Sequence, residues 1–276
     1  MKTRRLVRLV VIYGGLLLFY VFLLLPIFWL VLSSFRTTDS IQSGRLLPVW
    51  SELTGNNYVD AFHISNFPVF LRNSLLIATT VMLLVVFLGS LGAYALSRFQ
   101  LRGKHYFMLA ALLPQFFPYV LVLIPFYVLM SNLGLVDSHI GLILTHTSIT
   151  LPFALWMLTG YFKAIPQELD QAALIDGCSR LGVLFRIIYP VALPGLVVAG
   201  FFAFVVSWGD YLFVSILSQS NETQTLPIGL QAFMQSLQVR WGLITAGTVI
   251  AIVPTVLFFA IVQRRLVAGL TAGAVK

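Results

Sequence analysis

Charged residues are scarce in this chain of 276 amino acids: only 9% are Asp, Glu, Lys or Arg, whereas 59% are hydrophobic. A soluble domain carries about 25% charged residues, so a water-exposed surface of this composition would be largely apolar. The composition therefore excludes an ordinary soluble protein and indicates that lipid is the solvent for most of the molecule.

Cysteine is nearly absent too, because Cys178 stands alone and cannot form a disulfide within the chain. The phosphate-binding pattern GxxxxGK[ST] is missing, as are the HExxH and GxSxG patterns of hydrolases. The four histidines are scattered and do not form a ligand cluster; they are His63, His105, His139 and His146. We therefore predict no catalytic residue, no metal site and no cofactor bound by this chain.

Long apolar runs are abundant. Six of them reach the roughly 20 residues that a membrane-spanning helix needs; they are 9–32, 74–96, 106–130, 140–162, 196–217 and 243–262. The first follows basic residues, as a signal peptide's core would, but it is too long and lacks a clear cleavage site before Arg36. We predict an all-α membrane protein with six transmembrane helices in a single domain, 1–276.

The positive charge is distributed unevenly among the loops. With the N-terminus placed in the cytoplasm, six spans put thirteen Lys and Arg residues on the cytoplasmic side and four outside. This bias predicts that both termini are cytoplasmic. The net charge of +8 is then a topology signal, and nucleic-acid binding is not expected. Two longer polar loops, 33–73 and 218–242, are predicted to lie outside.

The longest cytoplasmic segment, 163–195, reads as two short helices. Pro166 suits a first helical turn, Gly177 permits the positive φ that ends a helix, and Ser179 can cap the next one. We expect the second helix to be interrupted at Pro190 and Pro194. From the residues alone, two interpretations stay open: a helical hairpin lying on the membrane surface, or a docking element whose adjacent alanines let another protein approach closely.

Motifs along nearly the whole chain resemble one family. ELDQAALIDG at 168–177, followed by Leu193-Pro194, looks like the EAA loop of ABC-transporter permeases, a short helix that sits in a cleft of the cytoplasmic ATPase. RNSLLIA at 72–78, LGAYALSRFQLRGK at 91–104, IPFYVLMSNLGLVDSHIGLIL at 124–144, LPFALWMLTGYF at 151–162, TLPIGL at 225–230 and GLTAGAVK at 269–276 resemble the maltose-type carbohydrate permeases, specifically their shorter, six-span subunit.

The resemblance implies a cytoplasmic coupling helix between spans 4 and 5, inside the EAA loop 163–195. It assigns ATPase coupling to these residues: Glu168, Asp170, Gln171, Ala172, Ala173, Asp176, Gly177 and Pro194. The family usually has Glu where this chain has Gln171, so Glu168 and Asp170 would orient the docked helix. A Trp-Asn pair of the family reads Trp208-Gly209 here, which puts residue-level pore assignments at that place in doubt.

Polar and aromatic groups inside the spans are candidates to line a sugar pathway, because sugars are recognised through hydroxyl hydrogen bonds and aromatic faces. The candidates are Gln115, Tyr119, His146, Thr150, Trp208, Asp210 and Tyr211. Each has an ordinary interpretation as well: a Thr bonds its own helix backbone, and an interfacial Trp or Tyr anchors the helix in the membrane.

The implied function is that of an inner-membrane permease subunit in a prokaryotic ABC importer for an oligosaccharide or sugar derivative. The implied partners are a second permease subunit that completes the pathway, a cytoplasmic ATPase dimer holding ATP and Mg, and an extracytoplasmic solute-binding protein on the outer loops. ATP binding would move the coupling helix and open the pathway outward. The alternatives are a related importer of a non-sugar solute, an ion-coupled carrier working alone, and a non-transporting scaffold or intramembrane enzyme.

Overall fold

The computed structural model of the chain describes residues 2–63, 66–234 and 239–272. This part of the chain holds no β-strand, and the β-bridge between Arg36 and Leu53 is isolated. The α-helices are α1 (Lys2–Ser34), α2 (Thr38–Gln42), α3 (Asn56–His63), α4 (Phe67–Arg98), α5 (Lys104–Leu112), α6 (Tyr119–Asn132), α7 (His139–Lys163), α8 (Glu168–Ile175), α9 (Arg180–Gly182), α10 (Tyr189–Gly209), α11 (Leu212–Leu217), α12 (Leu226–Ala232) and α13 (Trp241–Ala272). Shorter turns are two 3-10 helices, Trp50–Glu52 and Leu113–Phe116, and a π-helix, Val183–Ile188. The predicted all-helical class is confirmed.

Five helices are long and apolar enough to cross a membrane. They are Arg8–Ser34, Phe67–Arg98, His139–Lys163, Arg180–Gly209 and Trp241–Gln263. Four of the six predicted spans lie wholly within them. The C-terminal motif GLTAGAVK at 269–276 lies partly beyond the end of α13, since residues 273–276 are outside the described chain.

The third predicted span, 106–130, is not one straight helix. Lys104–Phe116 and Tyr119–Asn132 are long and apolar enough to cross a membrane only when they are taken together. They are bent by 105° at the break between them. Phe117 has an extended backbone with ψ of 143°. Because a residue that precedes proline is disfavoured in the helical region, Pro118 accounts for the position of this break. The pair counts as one broken span or as a re-entrant segment.

The fifth predicted span, 196–217, begins too late and runs across a break. The helix starts at Arg180 and ends at Gly209, and Asp210 is extended with ψ of 126° before α11 begins. Pro190 and Pro194 do not interrupt it, contrary to expectation. Pro190 occupies the first turn of α10, directly after the π-helix, and Pro194 is tolerated inside α10. A proline inside a buried membrane helix persists where neighbouring helices and local π adjustments satisfy the released backbone groups.

The chain divides into two compact units, of which Pro68–Gly229 with the chain from Pro254 is the larger. Its core contains small residues that bring helices close together: Ala154, Ala199 and Ala203 are fully buried. A Cβ at Gly195 would lie 2.7 Å from Cγ of Tyr161. Such small residues are typical of helix contacts in membranes, where close van der Waals packing drives association.

The smaller unit comprises the chain up to Phe67 with Leu230–Val253. Within it, the first part of the predicted polar loop 33–73 is folded around Arg36, which is fully buried and contacts residues up to Arg45. The guanidinium donates to Oγ of Ser40 at 3.1 Å, to the carbonyl of Ser40 at 2.6 Å and to the carbonyl of Arg45 at 3.1 Å. Helix α1 is different, because none of its apolar span is buried within the described chain.

Candidate functional site

The short helix α8 is bounded as the sequence predicts at its C-terminal end. Gly177 has φ of +87°. Its N–H donates to the carbonyl of Leu174 at 3.1 Å, and the N–H of Cys178 donates to the carbonyl of Ala173 at 2.9 Å. These two bonds form a Schellman motif, the termination for which glycine is favoured. Ser179 then accepts a bond from the N–H of Gly182 at 3.1 Å and caps the next helix.

The N-terminal side of α8 differs from the prediction. The helix begins at Glu168, so Pro166 precedes it and does not lie in its first turn. Asp170 does not project outward to orient a docked protein. Its side chain is only 7% exposed and forms a two-pronged ion pair with Arg98, which is 3% exposed. The distances are 2.8 Å from Nε to Oδ2 and 3.1 Å from Nη2 to Oδ1.

Arg98 also donates to the last turn of α7 and the residues after it. Its Nη1 bonds the carbonyl of Phe162 at 3.0 Å, and its Nη2 bonds the carbonyl of Ile165 at 3.1 Å. One guanidinium therefore connects the end of α4, the end of α7 and the first turn of α8. The sequence places Arg98 among the cytoplasmic charges and within the motif at 91–104, but it does not predict this pairing, because Asp170 lies 72 positions away.

The opposite face of α8 is exposed and partly apolar. Leu169 is 42% exposed and Ile175 is 85% exposed, and Ala172 lies between them at a spacing of three residues. Residues three apart share one face of a helix. The expected pair of outward alanines is therefore half correct, because Ala173 is buried. The remaining predicted coupling residues on α8 and its C-cap are exposed: Glu168, Gln171 and Asp176. Pro194 lies apart from them, inside α10.

A cavity of about 350 Å³ lies where the two broken helices meet. Tyr119, which opens α6 after the first break, and Asp210, which marks the second, both line it together with His146. Irregular backbone at membrane depth is tolerated where it borders protein or a water-filled cavity. Paired helix breaks of this kind are typical of binding sites in transporters.

His146 connects α7 to Ser207 and Asp210 in the cavity wall. Its side chain is 2% exposed, its Nε2 lies 3.2 Å from Oδ2 of Asp210, and its Nδ1 lies 2.8 Å from Oγ of Ser207. Because a carboxylate only accepts, Nε2 donates to Asp210. The same Oδ2 accepts the backbone N–H groups of Phe213 at 3.1 Å and Val214 at 3.2 Å, so Asp210 caps α11.

The other predicted pathway residues do not line this cavity. Gln115 donates to the carbonyl of Ile149 at 2.6 Å, and Thr150 donates to the carbonyl of His146 at 2.7 Å. Thr150 thus bonds the backbone of its own helix, as its ordinary interpretation states, whereas Gln115 bonds the backbone of α7. Trp208 is 7% exposed and stacks on Phe204, with ring centroids 5.5 Å apart. Tyr211 follows the break at Asp210 and is 36% exposed.

The loop that begins at Ser218 is held to the bundle by Asp137. Its Oδ1 accepts the N–H groups of Gln219 and Ser220, both at 3.0 Å, and the hydroxyl of Thr223. These bonds, with that from Thr223 foremost, lower the pKa of Asp137 from its ordinary 3.8 to about 2. Asp137 itself adopts a left-handed backbone with φ of +56°.

The motif RNSLLIA holds the same loop from the other side. Nδ2 of Asn73 donates to the carbonyls of Glu222 at 2.7 Å and Gln224 at 2.9 Å, and Ser74 Oγ accepts the N–H of Leu226 at 2.8 Å. Three motifs that are far apart in the sequence therefore meet at this loop: RNSLLIA, TLPIGL and the motif at 124–144 that contains Asp137. Residues 235–238, within the predicted outer loop 218–242, lie outside the described chain.

Among the described residues, no group of His, Cys, Asp and Glu side chains could hold a metal ion. The candidate site therefore consists of α8, which presents an exposed face, and of the cavity at the two helix breaks. In the cavity wall, Ser207, His146 and Asp210 form one hydrogen-bonded chain, and the hydroxyl-bearing Ser207 is buried.

Comparison with known proteins identifies the family. Residues 11–271 match the family model described as "Binding-protein-dependent transport system inner membrane component". The inner membrane ABC transporter permease protein YcjP of Escherichia coli is 38% identical over 268 residues, covering 96% of this chain and 95% of the relative. The trehalose transport system permease protein SugB of Mycobacterium tuberculosis is 36% identical over 255 residues, covering 92% of this chain and 92% of the relative.

A solved structure has the same fold. One chain in the crystal structure of a bacterial ABC transporter involved in the import of the acidic polysaccharide alginate superimposes with a TM-score of 0.79 at 24% identity, covering 93% of this chain and 96% of that one. The relatives are transport permeases and not enzymes. The resemblance seen in the sequence is confirmed, and the chain belongs to the family of inner-membrane components of binding-protein-dependent transport systems.

Proposed function

We propose that this chain is the permease subunit of an ATP-driven, binding-protein-dependent importer for a carbohydrate, and that it forms half of a heterodimeric pathway in a prokaryotic inner membrane. Family membership supports the transport role, and the trehalose permease among its relatives supports a sugar as the solute. The bias of Lys and Arg among the loops supports cytoplasmic termini.

Energy enters through α8, which acts as the coupling helix. The observation that carries this proposal is its two-sided construction. Asp170 is paired with Arg98 on the inner face, whereas Ala172 and Ile175 are exposed on the outer face. A helix fixed in this way transmits a displacement to α4 and α7, because the ion pair and the carbonyl bonds of Arg98 connect the three elements. The ATPase subunits bind ATP and Mg, and closure of the ATPase dimer provides that displacement.

The solute passes the cavity at the two helix breaks. Tyr119 offers an aromatic face and a hydroxyl, and the Asp210 carboxylate retains capacity to accept from sugar hydroxyls. The loop held by Asp137 and Asn73 is the docking surface for the solute-binding protein, since its backbone is fixed in advance. A preorganised surface loses less conformational entropy on binding than a mobile loop.

Reconstitution tests the function. The chain would be placed in liposomes with its second permease and ATPase subunits, the binding protein would be added outside, and uptake of labelled di- and oligosaccharides would be measured. We expect uptake only with ATP inside and with all subunits present, and a hydrolysis-deficient ATPase serves as the control. Solute uptake by this chain alone, driven by a proton or sodium gradient, would identify a secondary carrier and contradict the proposal.

A further inference from the structure

A second feature of the larger unit is unrelated to α8 and to the helix breaks. Two adjoining cavities, of about 480 and 440 Å³, lie along α4, α5 and α7 and share Leu96 and Lys104 in their walls. We call them together the basic groove. The basic groove is independent of the transport proposal, because it is defined only by contacts and charges within this unit.

The first cavity is an apolar trough with a charged mouth. Aliphatic and aromatic side chains form its walls; they include Leu88, Ala95, Phe107, Leu151 and Leu155. In this wall Gly92 lies in close contact with Leu155, since a Cβ at Gly92 would lie 2.7 Å from Cδ1 of Leu155. At one end the lining changes to Arg102, Gly103 and Lys104. An apolar wall with a single charged end matches an acyl chain joined to a head group.

The second cavity extends the basic mouth. Lys104, His105 and Lys163 line it, and no Asp or Glu is among its lining residues. In the described chain, no carboxylate forms an ion pair with Arg102, Lys104 or Lys163. Asp170, the acidic residue of α8 that lies inward, is already paired with Arg98. The positive charge at the mouth is therefore left for a ligand to neutralise.

The backbone adds to this field. Gly103 caps α5 with φ of +80°, and no side chain caps the N–H groups of the first turn. The N-terminus of a helix carries partial positive charge and binds phosphate groups. Beside the groove, Trp156 is 51% exposed, and Trp is a residue type enriched at the level of lipid head groups.

We propose that the basic groove is a binding site for an anionic phospholipid of the leaflet next to α8. One acyl chain lies along Leu88, Ala95 and Leu155, and the phosphate is bound by Arg102, Lys104 and the first turn of α5. Basic pockets between transmembrane helices on the cytoplasmic side are known to bind anionic head groups.

Native mass spectrometry of the full-length chain, with any subunits that copurify, measures the lipid directly. Phosphatidylglycerol would be titrated against phosphatidylcholine of the same chain length. We expect retention of phosphatidylglycerol at least about tenfold tighter, and loss of most of that preference in Arg102→Gln/Lys104→Gln. The matched control is Arg180→Gln/Arg186→Gln, which removes two exposed cations outside the groove and is expected to keep the preference.

A second variant tests the acyl chain. Ala95→Leu narrows the trough without altering any charge, and we expect weaker retention of both lipids. Equal binding of the two lipids by the unaltered chain, or equal loss in the groove and control variants, would overturn the proposal. Unchanged retention in Ala95→Leu would overturn it too. Displacement of the lipid by millimolar inorganic phosphate alone would mean that the mouth binds free phosphate and not a lipid.

Discussion

Arg98 is the residue whose contacts most constrain the position of α8. It is 3% exposed, and its guanidinium donates to one carboxylate and to the carbonyls of Phe162 and Ile165. A buried ion pair contributes little over an apolar pair of the same shape, but removal of one partner leaves an uncompensated charge. Arg98 is therefore expected to determine where α8 sits, more than it adds to the stability of the fold.

Arg98→Met leaves the carboxylate of Asp170 buried without its partner. We expect a loss of about 3–5 kcal/mol in the free energy of unfolding, measured by thermal or denaturant unfolding in detergent. Arg98→Met/Asp170→Leu should recover most of that loss, because both charges are then absent. Arg186→Met, at an exposed position, is the matched control and should have little effect. A double variant as unstable as the single one would show that the ion pair is not the reason.

Asp137 predicts a pH dependence of the loop that begins at Ser218. The folded pKa of about 2 lies below the ordinary 3.8, so the ionised carboxylate stabilises the folded loop. That stabilisation is complete above about pH 4 and is lost as the pH falls toward 2. Hydrogen exchange should show protection of the Gln219 and Ser220 amides decreasing over this window.

Two variants distinguish the effect of the Asp137 charge from the effect of its left-handed backbone conformation. Asp137→Asn retains a residue that tolerates the left-handed backbone but removes the charge, so protection should be lower and independent of pH in the same window. Asp60→Asn, at an exposed position in the smaller unit, should leave the protection unchanged. Full protection of both amides in Asp137→Asn at pH 6 would contradict the role of the carboxylate.

Residue-scale predictions from the sequence succeeded where the cause is local. Gly177 and Ser179 are placed as predicted because a helix end depends on a few neighbouring backbone groups. The outward orientation predicted for Asp170 is wrong, and the contact of Ser207 was not predicted. Their partners, Arg98 and His146, lie 72 and 61 positions away. Nothing in a local pattern records such pairs.

At the scale of single elements, hydropathy predicts how long a span is but not where it bends. The run 106–130 contains enough apolar residues for one helix, yet Pro118 divides it. The run 196–217 crosses the break at Asp210, because one carboxylate barely lowers the mean hydropathy of a long window. Conversely, Pro194 was expected to stop a helix that continues through it.

The turn after α8 gives a prediction at this scale. Gly177→Val places a β-branched residue at φ of +87°, which such residues avoid, so the end of α8 must change. We expect at least a tenfold loss of copurifying ATPase and of ATP-driven uptake, with normal membrane insertion. Gly160→Val is the matched control, because Gly160 lies inside α7 with open space at its Cβ and should retain both. Normal uptake by Gly177→Val would show that this turn has no part in coupling.

At the scale of the whole molecule, the uneven burial of the spans is typical of one subunit of a larger complex. The core is concentrated in the larger unit: a third of the apolar window of α4, 44% of that of α7 and half of that of Arg180–Gly209 are buried. None of the window in α1 is buried within the described chain. Composition and the long apolar runs predicted this membrane character. The orientation in the membrane and the partners stay predictions, because they depend on molecules outside the chain.

The central claim is that α8 docks on a separate ATPase subunit, and site-specific crosslinking tests it most directly. Ile175→Cys would be introduced together with Cys178→Ser, so that a single thiol stands on the exposed face of α8. Asn132→Cys, at the far end of α6, is the control. The account predicts that Ile175→Cys, but not Asn132→Cys, forms a crosslink to the ATPase in the assembled complex. An Ile175→Cys thiol that reacts only with its own chain or with lipid in the complete, ATP-hydrolysing complex would contradict it.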